Sequence, residues 1–384
     1  MRVLNRAALL ASTGLAATVL AAGALAGPAS AATASGGLIP GAGHALFVQT
    51  DNTTGNAVVA YQRAADGTLA LAGTYPTGGL GGQLAGSVVD HLASQGSLAY
   101  DPWHGLLYAV NAGSNMVSVF AVHGDRLSLR QVVTSGGIFP VSVAVHGGLV
   151  YVLNAENGGS VQGYRLWFGR LVPVSGSARQ LGLNQAATPQ FTNTPGQVAF
   201  TPDGSQLIVT TKANGNDIDV FGVHYSGLLS PQPVVNPEPG TVPFAITFDR
   251  AAHLVVADAG TNAVSSFTLA SEGTLSLLSS VGTGQKATCW VAPDGQRYFL
   301  SNAGSGTVST VTSGPGGQLT LQGQTSTDAG TVDAAVSPGG RFLYVQTGRN
   351  GVVDEFAVGQ QGSLTAIGSV TVAGAAGGEG IAAA

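Results

Sequence analysis

Four charged residues, Glu156, Lys212, Glu238 and Lys286, fall at loop positions in successive stretches of one repeating pattern. Carboxylates alternating with ammonium groups around a small opening suit attack of water on an ester carbonyl. The carboxylate takes the proton of the water, and the cation faces the developing oxyanion. Arg349 and Arg179 add guanidinium groups able to hold a carboxylate or phosphate through two parallel hydrogen bonds. Asp258, His91, Gln197, Trp290 and Asp333 stand at neighbouring positions and complete the set expected to contact a small-molecule substrate or ligand. The competing reading of each opposite-charge pair is a surface salt bridge, worth only about 0–1 kcal/mol.

Other chemistries find less support. Asn214-Gly215-Asn216-Asp217 with Asp219 is rich in oxygen but lacks the spacing and closing Glu of a calcium loop, and the seven histidines show no ligand spacing. No metal and no other cofactor is expected. Neither a G-x-S-x-G elbow nor a phosphate-binding GK[ST] loop occurs. His91 alone among the histidines falls beside the charged loops, in a Gly- and Ser-rich insertion expected to be loose. Cys289, the one cysteine, sits next to Trp290 in an apolar run. It reads as a buried, inert thiol and leaves the chain without an intrachain disulfide.

The elements that must position these residues are strands. The chain has 384 residues, 58 of them Gly, with 44% hydrophobic and only 9% charged. That is enough apolar material for a large core, and the glycines read as many tight turns. A net charge of −5 argues against nucleic acid as a partner. SLAYDPWHGLLYAVNAGSNMVSVFAVHGDRLSLRQVV from Ser97 and SVAVHGGLVYVLNAENGGSVQGYRLWFGRLVPV from Ser142 each hold four short apolar runs separated by hairpin turns. The pattern recurs from Gln197, Ala245, Trp290 and Ala334, making six complete units. Taking the end of the second run as a marker, Thr50, Asn111, Asn154, Thr211, Asp258, Asn302 and Thr347 are equivalent, and the last five gaps, of 43, 57, 47, 44 and 45 residues, fit a four-stranded propeller blade plus insertions.

The unit beginning at Ala45 lacks its first run, and GGEGIAAA at 377–384 matches what is missing. The expected fold is therefore all-β, a seven-bladed β-propeller over 45–384, closed by pairing of the C-terminal strand with the first blade. A solenoid is the alternative, but it would cap its ends rather than complement them. In a propeller, the loops from second to third strand and those between blades share one face and form a funnel over the central channel. The charged residues named above belong to that face.

Arg2 and Arg6, the apolar run Ala7–Ala26, Gly27-Pro28 and Ala29-Ser30-Ala31 have the order of a signal peptide, with cleavage expected after Ala31. A retained transmembrane anchor is the competing reading, disfavoured by the Ala-rich centre and the Gly-Pro break. Residues 32–44 would form a flexible mature N-terminus. The mature protein is expected to be exported, monomeric and without a membrane span.

Strand pairs such as LVYVLNAENGGSV and FLYVQTGRNGVVDEF, each followed by a turn and GxL, resemble the lactonase family of seven-bladed propellers. That family includes 6-phosphogluconolactonase-like and 3-carboxymuconate-cyclase-like proteins. The resemblance covers residues 45–384 and implies hydrolysis or isomerisation of a small lactone-type substrate in the funnel. Enzymes of the family tend to carry Pro-His pairs where the inter-blade loop meets the first strand. Here the corresponding residues are Phe139-Pro140-Val141, Thr194-Pro195-Gly196 and Val242-Pro243-Phe244, so no catalytic histidine carries over. A non-catalytic propeller that binds a ligand, glycan or protein is the alternative.

Overall fold

The structure is a computed structural model, and it describes residues 44–384. The expected leader at 1–31 and nearly all of the 32–44 segment lie outside the described residues. Alternating β-branched and aromatic runs between Gly turns give seven antiparallel sheets of four strands, in sequential order in all but the first. The third gains a short extra strand, Arg179–Gln180, paired to Ser160 and Val161. Three inner strands of a typical blade are buried on both faces, as in Leu149–Asn154, so their apolar residues run without alternation. The outermost strand, as in Leu275–Gly282, faces solvent on one side and alternates.

The first blade is completed from the far end of the chain. Ile381–Ala383 pairs antiparallel with Ala45–Gln49, Val48 opposite Ile381 and Leu46 opposite Ala383. Backbone bonds from Gln49 N to Gly380 O (2.8 Å) and from Ala384 N to Ala45 O (2.9 Å) extend the ladder. Separate apolar clusters join each blade to the next around the circle. Phe47 with Phe120 joins blades 1 and 2, Val220 with Phe267 blades 4 and 5, and Phe299 with Leu343 blades 6 and 7. Tyr61 with Tyr344 joins blade 7 back to blade 1, while two larger clusters cover the remaining junctions. The ring is shut by packing as well as by strand pairing.

The marker residues at the second-strand ends are polar and buried, and three of them clip their own blades in the same way. Asn111, Asp258 and Asn302 each bond the serine seven residues later on the third strand: Asn111 to Ser118 at 2.8 Å, Ser265 to Asp258 at 2.5 Å, and Asn302 to Ser309 at 2.9 Å. Buried polar groups paired in this way avoid the cost of an unmade hydrogen bond.

At the closing junction, Tyr344 donates its hydroxyl to the carbonyl of Gly67, 2.7 Å away. Gly67 has a φ of +94°, and a Cβ there would lie 2.3 Å from the Phe342 ring. Gly67→Ala is expected to cost about 2–4 kcal/mol of unfolding free energy. Gly147→Ala, also at positive φ but with open space around it, should cost only about 1 kcal/mol. Denaturant titration of the two variants checks the difference, and equal losses would refute the packing argument.

Candidate functional site

The funnel-face loops are built from one repeated device. Asn115, Asn216 and Asn262, in the second-to-third loops, adopt left-handed backbone. Their side-chain oxygens accept the backbone N–H of Phe139, Val242 and Ala287 at the start of the following blade, at 2.8, 3.2 and 2.6 Å. Those three residues are themselves left-handed, with φ of 61°, 52° and 55°. This conformation is costly for bulky side chains and is held by the surrounding bonds. It aims the first residues of blades 5 and 6 inward, where Phe244 and Trp290 meet edge to face, 5.0 Å between ring centres.

These two rings form one wall of a cavity of about 570 Å³ over blades 4, 5 and 6, also lined by Lys212, Val242, Cys289 and Gly304. Two insertions cap it. Val88, Val89, Asp90 and Ala93 come from the 76–96 segment, Phe191 and Thr192 from 176–194. Their Gly/Ser/Thr content reads as loose loop, but the structure packs them. Leu84 and Leu92 are fully buried, and Gln190 Oε1 accepts the N–H of Ala85 at 2.8 Å, tying one insertion to the other. Residues 94–97 then cross the channel. Trp290 donates Nε1–H to Ser94 O (2.6 Å), the Gln95 amide pairs with both backbone groups of Val291, and Gln95 N donates to Gly196 O. Loop composition carries no signal for these contacts, because they depend on which blades lie across the channel.

Asp90 is buried at the cavity lining. Its Oδ1 accepts the N–H of Leu92 (2.8 Å) and its Oδ2 that of Ser94 (3.0 Å). Burial pushes its carboxyl up to about 6, while these amides and the charge of Lys212 pull the other way. Lys212, buried and left-handed, donates Nζ hydrogens to the carbonyls of Ala93 and Phe191 (both 2.6 Å) and to Thr194 Oγ1 (3.2 Å). It also lies 5.3 Å from the centre of the Phe244 ring. Burial pulls its amine down to about 7, with Asp90 opposing. Three acceptors for three hydrogens, plus the aromatic face, are the surroundings of an ammonium ion. The Cys289 thiol, buried beside them, is pushed up to about 12 by desolvation and holds no thiolate at neutral pH.

The four residues expected to act together are not gathered. Lys212 lines the cavity. Glu156 accepts from Gln190 Nε2 (2.9 Å) and lines a separate polar cavity of about 200 Å³ with Asn184 and Asn214. Glu238 is half-buried beside Asp258, and burial raises its carboxyl. Lys286 is exposed on the rim. Among the expected ligand contacts, Trp290 forms the wall, Asp258 is bound to Ser265, and Gln197 Oε1 accepts from Ile246 N at 2.6 Å as a link between blades. His91 is half-buried beside Gly377, and desolvation lowers the proton affinity of its imidazole. Arg349 is exposed. The guanidinium of Arg179 is spent on the carbonyls of Gly176, Ala178, Leu229 and Ser230 between blades 3 and 4. Four of its five hydrogens are committed to these carbonyls, which leaves one Nη2 hydrogen and no pair for holding a substrate anion through two parallel bonds. Asp333 lies in the channel against Glu379. Asp90 and Glu379 were legible only as charges of inter-blade loops.

A sequence profile described as "Lactonase, 7-bladed beta-propeller" matches residues 82–377. No curated protein sequence matches the chain. Among solved structures, it is similar to a putative 6-phosphogluconolactonase from Bacteroides fragilis, with a TM-score of 0.69 and 19% identity over 88% of this chain and 97% of the other. It is equally similar to a periplasmic gluconolactonase from Pseudomonas aeruginosa, with a TM-score of 0.69 and 20% identity over 88% and 98%. Virginiamycin B lyase from Staphylococcus aureus follows at 0.54 and 13%, over 76% and 89%. Likenesses at these identities speak to the fold.

Proposed function

The chain belongs to the lactonase family of seven-bladed β-propellers, and from that premise we propose that it opens a small, largely apolar lactone in the cavity over blades 4 to 6. The observation that carries this reading is Asp90, a buried carboxyl brought close to neutral pH, at the edge of an apolar pocket with a buried cation beside it. The Asp90 carboxylate takes a proton from water as the water oxygen adds to the lactone carbonyl. The ring C–O bond then breaks, and the proton passes from Asp90 to the departing alkoxide, leaving a hydroxy acid. Lys212, with its hydrogens committed to protein oxygens, acts on the oxyanion through its charge, which a low-dielectric cavity screens little.

The lining also bears on substrate class. Its one cation is already satisfied, so a phosphate dianion would find no partner there, whereas Phe191, Phe244, Trp290 and Val242 suit alkyl or aryl substituents. Export follows as part of the same proposal, supported by the leader-like segment and consistent with the absence, among the described residues, of any helix long and apolar enough to cross a membrane. A binding propeller is the second reading, favoured by the backbone amides already bound to each Asp90 oxygen and the commitment of all three Lys212 hydrogens.

The test is a panel of alkyl- and aryl-substituted lactones beside a phosphorylated sugar lactone. Asp90→Asn is expected to lower kcat/KM by about 10²- to 10⁴-fold with the apolar lactones, while Glu238→Gln changes it little. Loss in Glu238→Gln with retention in Asp90→Asn would move the chemistry elsewhere. Saturable binding without turnover would leave the second reading standing.

A further inference from the structure

The face opposite the funnel consists of the turns joining first to second and third to fourth strands. On blades 2, 3 and 4 these turns carry aromatic side chains that the fold does not use. Trp103 and Phe168 keep 93% and 90% of their surface exposed, Trp167 keeps 67%, and Tyr225 is fully exposed. A lone exposed apolar residue needs no explanation, but four large aromatics on adjacent turns do. Two features link their turns. Phe168 shares a groove of about 330 Å³ with His104, His123, Arg130 and Arg170 between blades 2 and 3. Arg165 reaches from blade 3 to the carbonyl of Tyr225 on blade 4, 3.3 Å away.

The charge of this patch runs against that of the chain. Arg126, Arg130, Arg165 and Arg170 are exposed, and none forms an ion pair among the described residues. The acidic groups on the same blades' turns are Asp101, which holds His104 Nδ1 at 2.6 Å, Asp125, and Asp203, which accepts from Thr201 and Ser205 within its own turn, against four arginines. The whole chain carries −5.

We propose that this face docks on an anionic phospholipid surface, with Trp103, Trp167 and Phe168 entering the boundary between headgroups and acyl chains and the unpaired guanidinium groups meeting lipid phosphates. Aromatic tips beside arginine are the chemistry of the membrane interface. A glycan would call for broad ring faces side by side, whereas the Trp167 and Phe168 rings stand at 82° to each other, 5.1 Å apart. Docked this way, the protein would turn its funnel away from the lipid.

The test uses the full chain with vesicles of phosphatidylcholine alone or mixed with phosphatidylglycerol, both carrying brominated acyl chains. Tryptophan quenching reads the patch specifically, because residues 1–44 contain no Trp and Trp290 is buried. Quenching and co-sedimentation are expected with the anionic vesicles and should weaken several-fold as salt is added. Trp167→Ser with Phe168→Ser should lower the affinity at least about tenfold, and Arg130→Glu with Arg170→Glu by a similar factor. Absent quenching, equal quenching by neutral vesicles, or unchanged affinity in both variants would overturn the proposal. So would use of the same residues to bind a soluble anionic polysaccharide or a second copy of the chain in place of vesicles.

Discussion

A chain that stops at Gly378 is expected to lose cooperative folding. The six residues removed include Glu379, Ile381 and Ala382, all buried, and the strand that pairs with Ala45–Gln49. Their loss opens the ladder at Gln49 N and Ala45 O. It also strips Ser97 Oγ of the Glu379 carbonyl (2.8 Å) and Ser94 Oγ of the Glu379 carboxyl (3.3 Å). Ile381 belongs to the cluster that joins blade 7 to blade 1 through Leu46, Tyr61 and Tyr344. Several buried hydrogen bonds, two apolar side chains and one blade junction together approach the whole stability of about 5–15 kcal/mol typical of a folded domain. Thermal unfolding followed by circular dichroism should show a broad transition in place of a sharp one. A sharp transition within a few degrees of the full chain would mean that the ring does not depend on this closure.

Stability should fall as pH rises from 5 to 8, the reverse of ordinary acid denaturation. Asp51, Asp90, Asp333 and Glu379 are buried around the channel, and desolvation raises all four. Asp90 comes to about 6 and Asp333 to about 7, while Asp51 and Glu379 go well above the usual carboxylate range. Their mutual repulsion adds to this for Asp51, Asp333 and Glu379. A side-chain hydrogen bond links Glu379 to Asp333. In the unfolded chain these groups ionise near pH 4. Between about pH 4 and 7 the folded chain therefore holds protons that the unfolded chain has lost, and the advantage present below pH 4 disappears as pH climbs. His91, whose proton affinity burial lowers, and, above about pH 7, Lys212, whose amine burial pulls down to about 7, pull the opposite way and are outnumbered by the four carboxyls. The carboxylates held low, Asp66, Asp203 and Glu272, act below this window. A tenfold change in proton affinity on folding corresponds to about 1.4 kcal/mol, so the cluster should cost on the order of 3 kcal/mol or more by pH 8. Urea titrations at pH 5 and 8 measure this. Glu379→Gln, which still accepts from Gly96 and donates to Asp333 without titrating, should flatten the difference. Stability that rises from pH 5 to 8 would contradict the argument.

The architecture was legible in the chain because a blade is a local object. Four apolar runs, hairpin turns and a polar residue at the end of the second strand repeat with a period that needs no knowledge of neighbours. The marker residues Asn111, Asn154, Asp258, Asn302 and Thr347 are the last residues of their strands, and Thr50 and Thr211 follow theirs by one. Even the long-range closure could be read, since a unit short of one strand and an orphan strand at the far end imply each other.

Which side chains meet was another matter. Glu156, Lys212, Glu238 and Lys286 occupy related loops, but a loop position specifies a face and leaves the direction of the side chain open. One of the four points into the cavity, one into a neighbouring cavity and one onto the rim. Asp90 reads in the sequence as one charge in a flexible insertion, yet in the fold that insertion runs across the channel. There the amides of Leu92 and Ser94 hold the carboxyl and burial tunes it. The sequence alone therefore determined the seven repeats, their strands and the pairing of the two chain ends, because hydrophobic period and turn chemistry act over a few residues. The tertiary structure alone decided the cavity, its buried acid and cation, and the aromatic face opposite. Desolvation and contact across a ring depend on residues that are distant in the chain and are brought together only once the blades have packed.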